Sequence, residues 1–352
     1  MYRSRSVFMV HEKDNISVKS PLKNDIFVDK MGNVDLGIFD SSPYFEHARA
    51  EVKTMYPRCK VKKVSILGVP SQSIELSVDV ETQKCIKNGV TESNFLKMAN
   101  NEVASCFPDY EIVDAKLLFR DGTPELIDDA IVMNKYDMDA FDFSGQNKRQ
   151  VSDVIFVCNE IRRLLQTLHN NAVVHGDVKP ENFVLSRSKY GVIDVKVIDG
   201  DYACTKRQCE QEGVIFARGS PHYAAPEKIV GLEKRRAGTF EEERQAEMWS
   251  LGVTLLTIIT SQMVMYFNEA PHANAFTPYV CQHCRYNHSM YLGNDEFKCA
   301  CKIVPDDVRR VVRKHFNIAN NDTYNDRIEL CEFIAGCMHI EPSLRPAMAR
   351  PF

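Results

Sequence analysis

The sequence lacks any apolar run that could span a membrane, because its longest candidate, residues 251–260, is too short. It also lacks an excess of charge of one sign, since 44 Lys and Arg residues face 48 Asp and Glu residues for a net charge of −4. So even a balance creates no electrostatic field that favours nucleic acid or an anionic membrane. We therefore expect no membrane span and no nucleic-acid partner.

The sequence also has no internal repeat and no low-complexity tract, and we expect no secretory signal. Its first residues, MYRSRSVFMVHEKD, are partly basic but contain no adequate apolar region or small-residue cleavage site. Twelve cysteines in a chain without such a signal predict reduced thiols or a metal site rather than a disulfide framework. We expect an intracellular protein, in the cytoplasm, the nucleus or a host cell.

Residues 172–185, AVVHGDVKPENFVL, contain two short β-prone runs with a polar loop between them. The loop carries His175, Asp177, Lys179 and Asn182 within eight positions. A carboxylate there can accept a proton from an attacking hydroxyl, an ammonium can neutralise a moving phosphoryl group, and a carboxamide can hold a metal ion that bridges phosphates. These residue types on one exposed turn therefore predict a phosphoryl-transfer site.

The same stretch resembles the catalytic loop of protein kinases, H-R-D-x-K-x-x-N, with Gly176 where the family usually has Arg. Residues 219–227, GSPHYAAPE, and residues 246–260, AEMWSLGVTLLTIIT, resemble later motifs of that family in the right order. The resemblance implies an α+β, bilobal protein-kinase-like fold with ATP in the cleft. Its small lobe would have five strands and one helix, and its large lobe would be mostly α-helical.

The resemblance implies a magnesium site beside the catalytic residues Asp177, Lys179 and Asn182. Asp199, in the stretch VKVIDGDYA, corresponds to the metal-chelating aspartate, and Asp201 offers a second carboxylate. Asn182, Asp199 and Asp201 would together supply the hard oxygen ligands that Mg²⁺ prefers.

Residues 204–218 correspond to the rest of the family's activation segment. In the family, an arginine at the position of Gly176 usually pairs with a phosphate on that segment. The resemblance therefore implies a kinase that lacks this arginine and whose activity does not require phosphorylation of the segment.

Four further residues are implied to have structural roles. Ser220 stands where a hydroxyl contacts the catalytic aspartate and lysine. Glu227 is expected to form a bidentate pair with Arg345. Glu247 replaces the usual Asp and could still reach the backbone of the catalytic loop.

In the small lobe the resemblance assigns residues to phosphate binding. Gly68 begins the Gly-rich loop and is its only retained glycine. Lys87 takes the place of the lysine that pairs with the phosphates, and Lys84 is its competitor. A helix is expected over residues 91–107, with Glu102 as the glutamate that holds the lysine and Glu92 as the alternative.

Adenine binding is assigned to the following strand and hinge. Met133 would border the adenine pocket, and Lys135 lies in the hinge Asn134-Lys135-Tyr136. Beyond it, apolar periodicity predicts a long helix over residues 151–169 and two amphipathic helices between residues 305 and 340.

A second metal site is suggested by cysteine spacing between residues 281 and 301. Cys281 and Cys284 form a C-x-x-C pair, and Cys299 and Cys301 form a C-x-C pair. Four thiolates can close a structural tetrahedral Zn²⁺ site. Free thiols in a reducing compartment are the alternative.

The expected organisation is an N-terminal extension of unknown role (1–58) followed by a kinase-like domain (59–350). The small lobe would cover about 59–135, the large lobe about 136–350, and the Cys-rich insert 281–301. The implied function is transfer of the γ-phosphoryl of Mg-ATP to Ser or Thr hydroxyls of protein substrates. A pseudokinase that acts as a binding or scaffold protein is the alternative, favoured by the degenerate glycine loop. A small-molecule kinase is a third hypothesis, which GSPHYAAPE opposes.

Overall fold

The structure is a computed structural model that divides into two compact units, Met1–Met138 and Asp139–Phe352. It describes residues 25–28, 34–36, 48–51, 61–67, 73–78, 84–87, 90–119, 124–134, 136–215, 219–231, 237–261, 265–269, 286–293, 296–319 and 325–347. No helix among these residues combines the length and the apolar character needed to cross a membrane.

The first unit is built on an antiparallel sheet that closes into a barrel in the order β1-β2-β3-β7-β8-β6-β5-β4. Its strands are β1 (Asp25–Val28), β2 (Val34–Leu36), β3 (Ala48–Glu51), β4 (Val61–Leu67), β5 (Ser73–Val78), β6 (Lys84–Lys87), β7 (Tyr110–Phe119) and β8 (Pro124–Asn134). Two helices, α1 (Val90–Met98) and α2 (Asn101–Ala104), lie between β6 and β7.

The eight strands of this sheet correct the expectation of five. Strands β4 to β8 are the five expected ones, and the other three come from residues 25–51, which the sequence analysis assigned to an extension of unknown role. Strand β1 pairs with β4, and β3 pairs with β7. These short strands are weakly patterned, so they are specified by pairing with the edges of the longer sheet rather than by their own periodicity.

The single helix expected over residues 91–107 is also corrected, because the structure has two. Helix α1 ends at Met98, and the Asn100 side chain accepts a 2.9 Å hydrogen bond from the backbone N–H of Val103 at the start of α2. Asparagine is a preferred N-cap residue. The cap therefore starts a new helix where apolar periodicity alone predicted continuity.

The second unit is mostly helical. Its helices are α3 (Ala140–Ser144), α4 (Val151–Asn170), α5 (Lys206–Gln208), α6 (Pro226–Gly231), α7 (Phe240–Thr260), α8 (Pro305–Phe316) and α9 (Asp326–Cys337). The remaining strands are β9 (Met138–Asp139), β10 (Val173–Val174), β11 (Phe183–Ser188), β12 (Gly191–Val197), β13 (Cys204–Thr205), β14 (Val214–Ile215), β15 (Ala237–Gly238), β16 (Met265–Glu269), β17 (Tyr286–Gly293) and β18 (Glu296–Cys299).

Helix α7 forms the centre of the second unit's core. The apolar run 251–260 is its C-terminal half, and every residue of that run is buried. The Thr257 and Thr260 hydroxyls donate to backbone oxygens four residues earlier, so their polar groups are satisfied within the helix. Helices α4 and α9 pack against α7.

Candidate active site

Asp177 lies among hydrogen-bond donors from three other residues. Its Oδ1 atom accepts a bond from the Ser220 backbone N–H at 2.6 Å, and its Oδ2 atom accepts one from Lys179 Nζ at 2.6 Å. Lys179 Nζ also donates to Ser220 Oγ at 3.1 Å. Asn182 Nδ2 donates to the backbone oxygen of Asp177 at 2.8 Å and to its Oδ2 atom at 3.3 Å. The structure thus brings together all four residues, which we call the Asp177 cluster.

The charges of the Asp177 cluster are buried. Asp177 is 5% exposed and Lys179 is 4% exposed. Burial acts to lower the pKa of Lys179, but the charges of Asp177 and Asp199 and the hydrogen bond to Asp177 outweigh it, so the pKa is raised. Lys179 therefore stays cationic and can stabilise negative charge that develops beside Asp177.

The loop that carries Asp177 is tied to the strand that precedes Asp199. The His175 ring nitrogen Nε2 lies 3.0 Å from the backbone oxygen of Ile198, and the Ile198 N–H donates to the backbone oxygen of Asn182 at 2.9 Å. Strands β11 and β12 continue this pairing from Phe183 and Val197. The loop of Asp177 and the end of β12 therefore have a fixed register.

Glu247 of helix α7 binds the backbone of the same loop. One carboxylate oxygen of Glu247 accepts a 2.6 Å bond from the Gly176 N–H, and the other lies 2.8 Å from His169 Nε2 at the end of α4. Burial acts to raise the pKa of Glu247. The hydrogen bond to His169, the charges of His169 and His175 and the bond from the Gly176 N–H outweigh burial, so the pKa is lowered. Glutamate at this position reaches the loop backbone, as its longer side chain allows.

Gly176 adopts a backbone conformation that explains why an arginine does not stand there. Its φ is +82°, and a Cβ atom added to it would lie 2.5 Å from the backbone oxygen of Tyr202. A side chain would therefore be strained and would also collide with backbone. The departure from the family motif at this position is built into the local packing.

Asp199 and Asp201 stand directly after β12. Asp199 has a left-handed backbone conformation, with φ 68° and ψ 58°, which is uncommon for a non-glycine residue. Both carboxylates are half-buried. Asn182 uses its amide nitrogen for its bonds to Asp177, so its amide oxygen is the atom that can coordinate a cation.

These donors fit a magnesium ion. Mg²⁺ usually takes one or two protein carboxylates and completes its shell with water and phosphate oxygens. Within the described part of the chain, no group of three or more His, Cys, Asp or Glu side chains is placed to hold a metal.

The first unit supplies the residues assigned to phosphate binding. Lys87 ends β6 with its backbone opposite Ile131 of β8, and Lys84 begins β6 opposite Asn134. Glu92 is fully buried in α1, which packs against β8, whereas Glu102 is exposed in α2. Glu92 is thus the buried one of the two candidates, and the choice between Glu102 and Glu92 as the partner of a strand lysine stays a prediction.

The residues assigned to the nucleotide are only partly described. Met133 is half-buried in β8, opposite Cys85 of β6 and Tyr110 of β7. Gly68 and Lys135 lie outside the described residues.

Glu227 and Arg345 form a bidentate ion pair. Arg345 Nη1 lies 2.5 Å from Glu227 Oε1, and Arg345 Nη2 lies 2.9 Å from Glu227 Oε2. The Arg345 guanidinium also donates to the backbone oxygens of His339 and Gln245 and is fully buried. The pair joins α6 to the C-terminal turn of the second unit.

The cysteine-rich insert is half described. The Sγ atoms of Cys299, at the end of β18, and Cys301 lie 3.2 Å apart, and both residues are half-buried. Cys281 and Cys284 lie outside the described residues, so the four-thiolate zinc site stays a prediction.

Sequence reasoning missed two residues with unusual environments. His169, the partner of Glu247, follows the apolar stripe of α4 and carries no motif signal. Asp139 caps α3 by accepting a 2.7 Å bond from the Asp142 N–H. Burial raises the pKa of Asp139 to about 8, and the charges of Asp142 and Glu181 act in the same direction. The Asp-x-x-Asp pattern before an apolar run is a cap signal that could have identified it.

Comparisons with known proteins identify a family that the chain matches. A family model described as "Protein kinase domain" matches residues 83–351. Serine/threonine-protein kinase ksp1 of Schizosaccharomyces pombe is 37% identical over 93 residues, which are 26% of this chain and 18% of that protein. MAP kinase-interacting serine/threonine-protein kinase 2 of Xenopus laevis is 31% identical over 122 residues, which are 32% of this chain and 24% of that protein. The matched regions thus span less than a quarter of these relatives.

Proposed function

Because the chain belongs to the protein kinase family, we propose that it transfers the γ-phosphoryl group of Mg-ATP to serine or threonine hydroxyls of protein substrates. The observation that carries the proposal is the Asp177 cluster, in which a carboxylate, an ammonium and a carboxamide converge. The named relatives are serine/threonine kinases, which supports that class of acceptor.

In this proposal Asp177 orients the acceptor hydroxyl and takes up its proton. Lys179, kept cationic by the carboxylates around it, stabilises the negative charge of the phosphoryl group as it moves. Ser220 bonds both residues and keeps them in register. Helix α7 and strand β12 hold the loop still, so little reorganisation is needed during transfer.

Asn182, Asp199 and Asp201 would hold magnesium, and Lys87 with Glu92 or Glu102 would position the phosphates. When bound, Mg-ATP supplies the phosphoryl group and the divalent charge that neutralises its oxygens. Gly176 removes the usual anchor for a phosphorylated activation segment, so we infer that activity does not depend on phosphorylation there.

The proposal is tested by incubating the purified protein with Mg-ATP and a generic basic protein, then mapping phosphorylated residues by mass spectrometry. We expect phosphoserine or phosphothreonine, and we expect none when Mg²⁺ is chelated or when Asp199→Asn replaces the wild type. Tyrosine phosphorylation alone, or no phosphorylation, would contradict the proposal, and the second outcome would favour the scaffold alternative.

We also propose that Cys281, Cys284, Cys299 and Cys301 bind one structural Zn²⁺. The support is the closeness of the Cys299 and Cys301 sulfurs and the order of the hairpin. Ser289 of β17 pairs with Cys299 at the end of β18, and Cys284 precedes the start of β17 by two residues in the sequence. The described pair, Cys299 and Cys301, thus lies at the end of the hairpin strand β18, and Cys281 and Cys284 come shortly before β17 in the sequence.

The zinc prediction is tested by elemental analysis of the purified full chain. We expect about one zinc per chain in the wild type and a clear loss in Cys299→Ser, because a four-thiolate site needs every ligand. Cys331→Ser, a buried cysteine of α9, serves as the control and should keep the metal. A wild-type chain purified without zinc and unable to take it up would refute the site.

A further inference from the structure

Two cysteines of the activation segment lie side by side in the second unit. Cys204 is in β13, Cys209 follows α5, and their Sγ atoms are 2.7 Å apart. Both are buried, at 2% and 3% exposure. They are thiols in the structure.

This cysteine pair packs against β10, the strand that directly precedes the loop of Asp177. Cys204 pairs in β13 with Val174 of β10, the residue that precedes His175. Cys204, Cys209, Val174 and Phe240 form one buried cluster, so the pair also touches the start of α7. The Lys206 N–H donates to the backbone oxygen of Ala172 at 2.8 Å, on the same side of the loop.

The activation segment therefore has an anchor of its own. The family's usual anchor, an arginine at position 176, is excluded here by the left-handed backbone of Gly176 and by the Tyr202 backbone oxygen that an added Cβ would meet. What holds residues 204–209 instead is the short β10–β13 ladder, the buried cluster and the Thr205–Gln208 capping box of α5. A covalent bond between Cys204 and Cys209 would close a six-residue loop that contains α5.

We propose that Cys204 and Cys209 form a reversible disulfide that locks residues 204–209 of the activation segment in the conformation that pairs with β10. The oxidant is a small disulfide such as oxidised glutathione. One cysteine loses its proton and attacks a glutathione sulfur, whose S–S bond breaks and releases one glutathione as a thiol. The second cysteine then attacks the mixed disulfide and releases the other. Two protein thiols are oxidised, and one disulfide is reduced to two thiols.

Access to the buried sulfurs needs only a local opening. Helix α5, between the two cysteines, is three residues long, and Lys206 and Arg207 on it are exposed. Short helices with exposed backbone are among the first parts of a protein to open.

The bond is tested on the full chain by treating the native protein with oxidised glutathione, alkylating the remaining thiols and digesting with trypsin. Trypsin cleaves after Lys206 and Arg207, between the two cysteines, so a disulfide keeps the two fragments joined until dithiothreitol is added. We expect this joined species in the wild type. Glutathione or the alkylating agent on each cysteine separately, with no joined species, would overturn the proposal.

Two further measurements test separately whether the disulfide forms and whether it stabilises the segment. Cys204→Ser should give no joined species and leave Cys209 glutathionylated or alkylated, whereas Cys331→Ser should behave as the wild type. If Cys204→Ser does not fold, the wild-type digest alone decides. Amide hydrogen exchange over residues 204–213 should slow on oxidation and recover with dithiothreitol. An exchange rate unchanged by oxidation would show that the disulfide does not stabilise this part of the segment.

Discussion

Asp177, Lys179 and Asn182 are close together both in the sequence and in the structure. Asp177, Lys179 and Asn182 occur within six positions, so a single turn brings their side chains together. The sequence could predict this part of the site because the turn itself decides the geometry. Ser220, 43 positions away, was predicted only through the motif resemblance.

Substitutions at Gly176 test whether a side chain at this position destabilises the loop of Asp177. We expect Gly176→Ala to lower the free energy of unfolding by about 1–2 kcal/mol or more, because its φ is +82° and the new Cβ would meet the backbone oxygen of Tyr202. We expect Gly176→Arg to lose activity rather than gain control by phosphorylation. Urea denaturation and the rate of phosphoryl transfer measure the two effects.

The control for this substitution is Gly145→Ala. Gly145 has a φ of −75°, and an added Cβ would make only ordinary contacts, the nearest at 3.6 Å. Its stability should change little. A Gly176→Arg protein that is stable and more active than the wild type would contradict the role given to this glycine.

At the scale of elements, helix α3 begins at a buried carboxyl group that is costly to ionise in the folded protein. Asp139 caps the helix but is buried, and its pKa is raised to about 8. In the unfolded chain the carboxyl ionises near pH 4. Between these values the folded protein binds the extra proton, so this group makes the protein less stable as pH rises from about 4 to about 8.

We expect Asp139→Asn to remove that dependence and to keep the cap, since asparagine also caps helices well. The variant should be more stable than the wild type by roughly 1–3 kcal/mol at pH 8, with the difference vanishing near pH 4. Urea denaturation at several pH values measures it. A variant that is less stable at pH 8, or a difference that is the same at all pH values, would show that Asp139 is ionised in the fold.

The elements themselves were predictable where the pattern is long. The helix predicted over residues 151–169 is α4, which covers Val151–Asn170, and the two helices predicted between residues 305 and 340 are α8 and α9. Shorter elements were not predictable. A cap at Asn100 divides the helix expected over 91–107.

At the scale of the whole molecule, one ion pair connects distant parts of the second unit. Arg345 and Glu227 are 118 positions apart, and the Arg345 guanidinium is fully buried. We expect Arg345→Lys to lower the free energy of unfolding by about 3 kcal/mol, because lysine cannot make the bidentate contact and leaves buried acceptors unpaired.

The matched control is Arg163→Lys, whose exposed pair with Glu160 spans one helical turn. It should change the free energy of unfolding by less than about 1 kcal/mol. Equal effects of the two substitutions in urea denaturation would show that the Glu227–Arg345 pair does not stabilise the second unit as argued.

The overall architecture was predictable in kind but not in strand count. Motifs spread over the chain identified the kinase family, and the family model matches residues 83–351. The three strands from residues 25–51 were not predictable, because each is three or four residues long and depends on a partner strand far along the chain. Periodicity in so short a segment carries too little information to define a strand.

The central claim is that the Asp177 carboxylate carries out phosphoryl transfer. The direct measurement is the transfer rate from Mg-ATP to a basic protein for wild type and Asp177→Asn, with thermal shifts recorded to compare nucleotide binding. We predict magnesium-dependent transfer by the wild type, a variant at least about 100-fold slower, and similar thermal shifts for both. A variant as fast as the wild type, or a folded wild type that transfers nothing, would contradict the account.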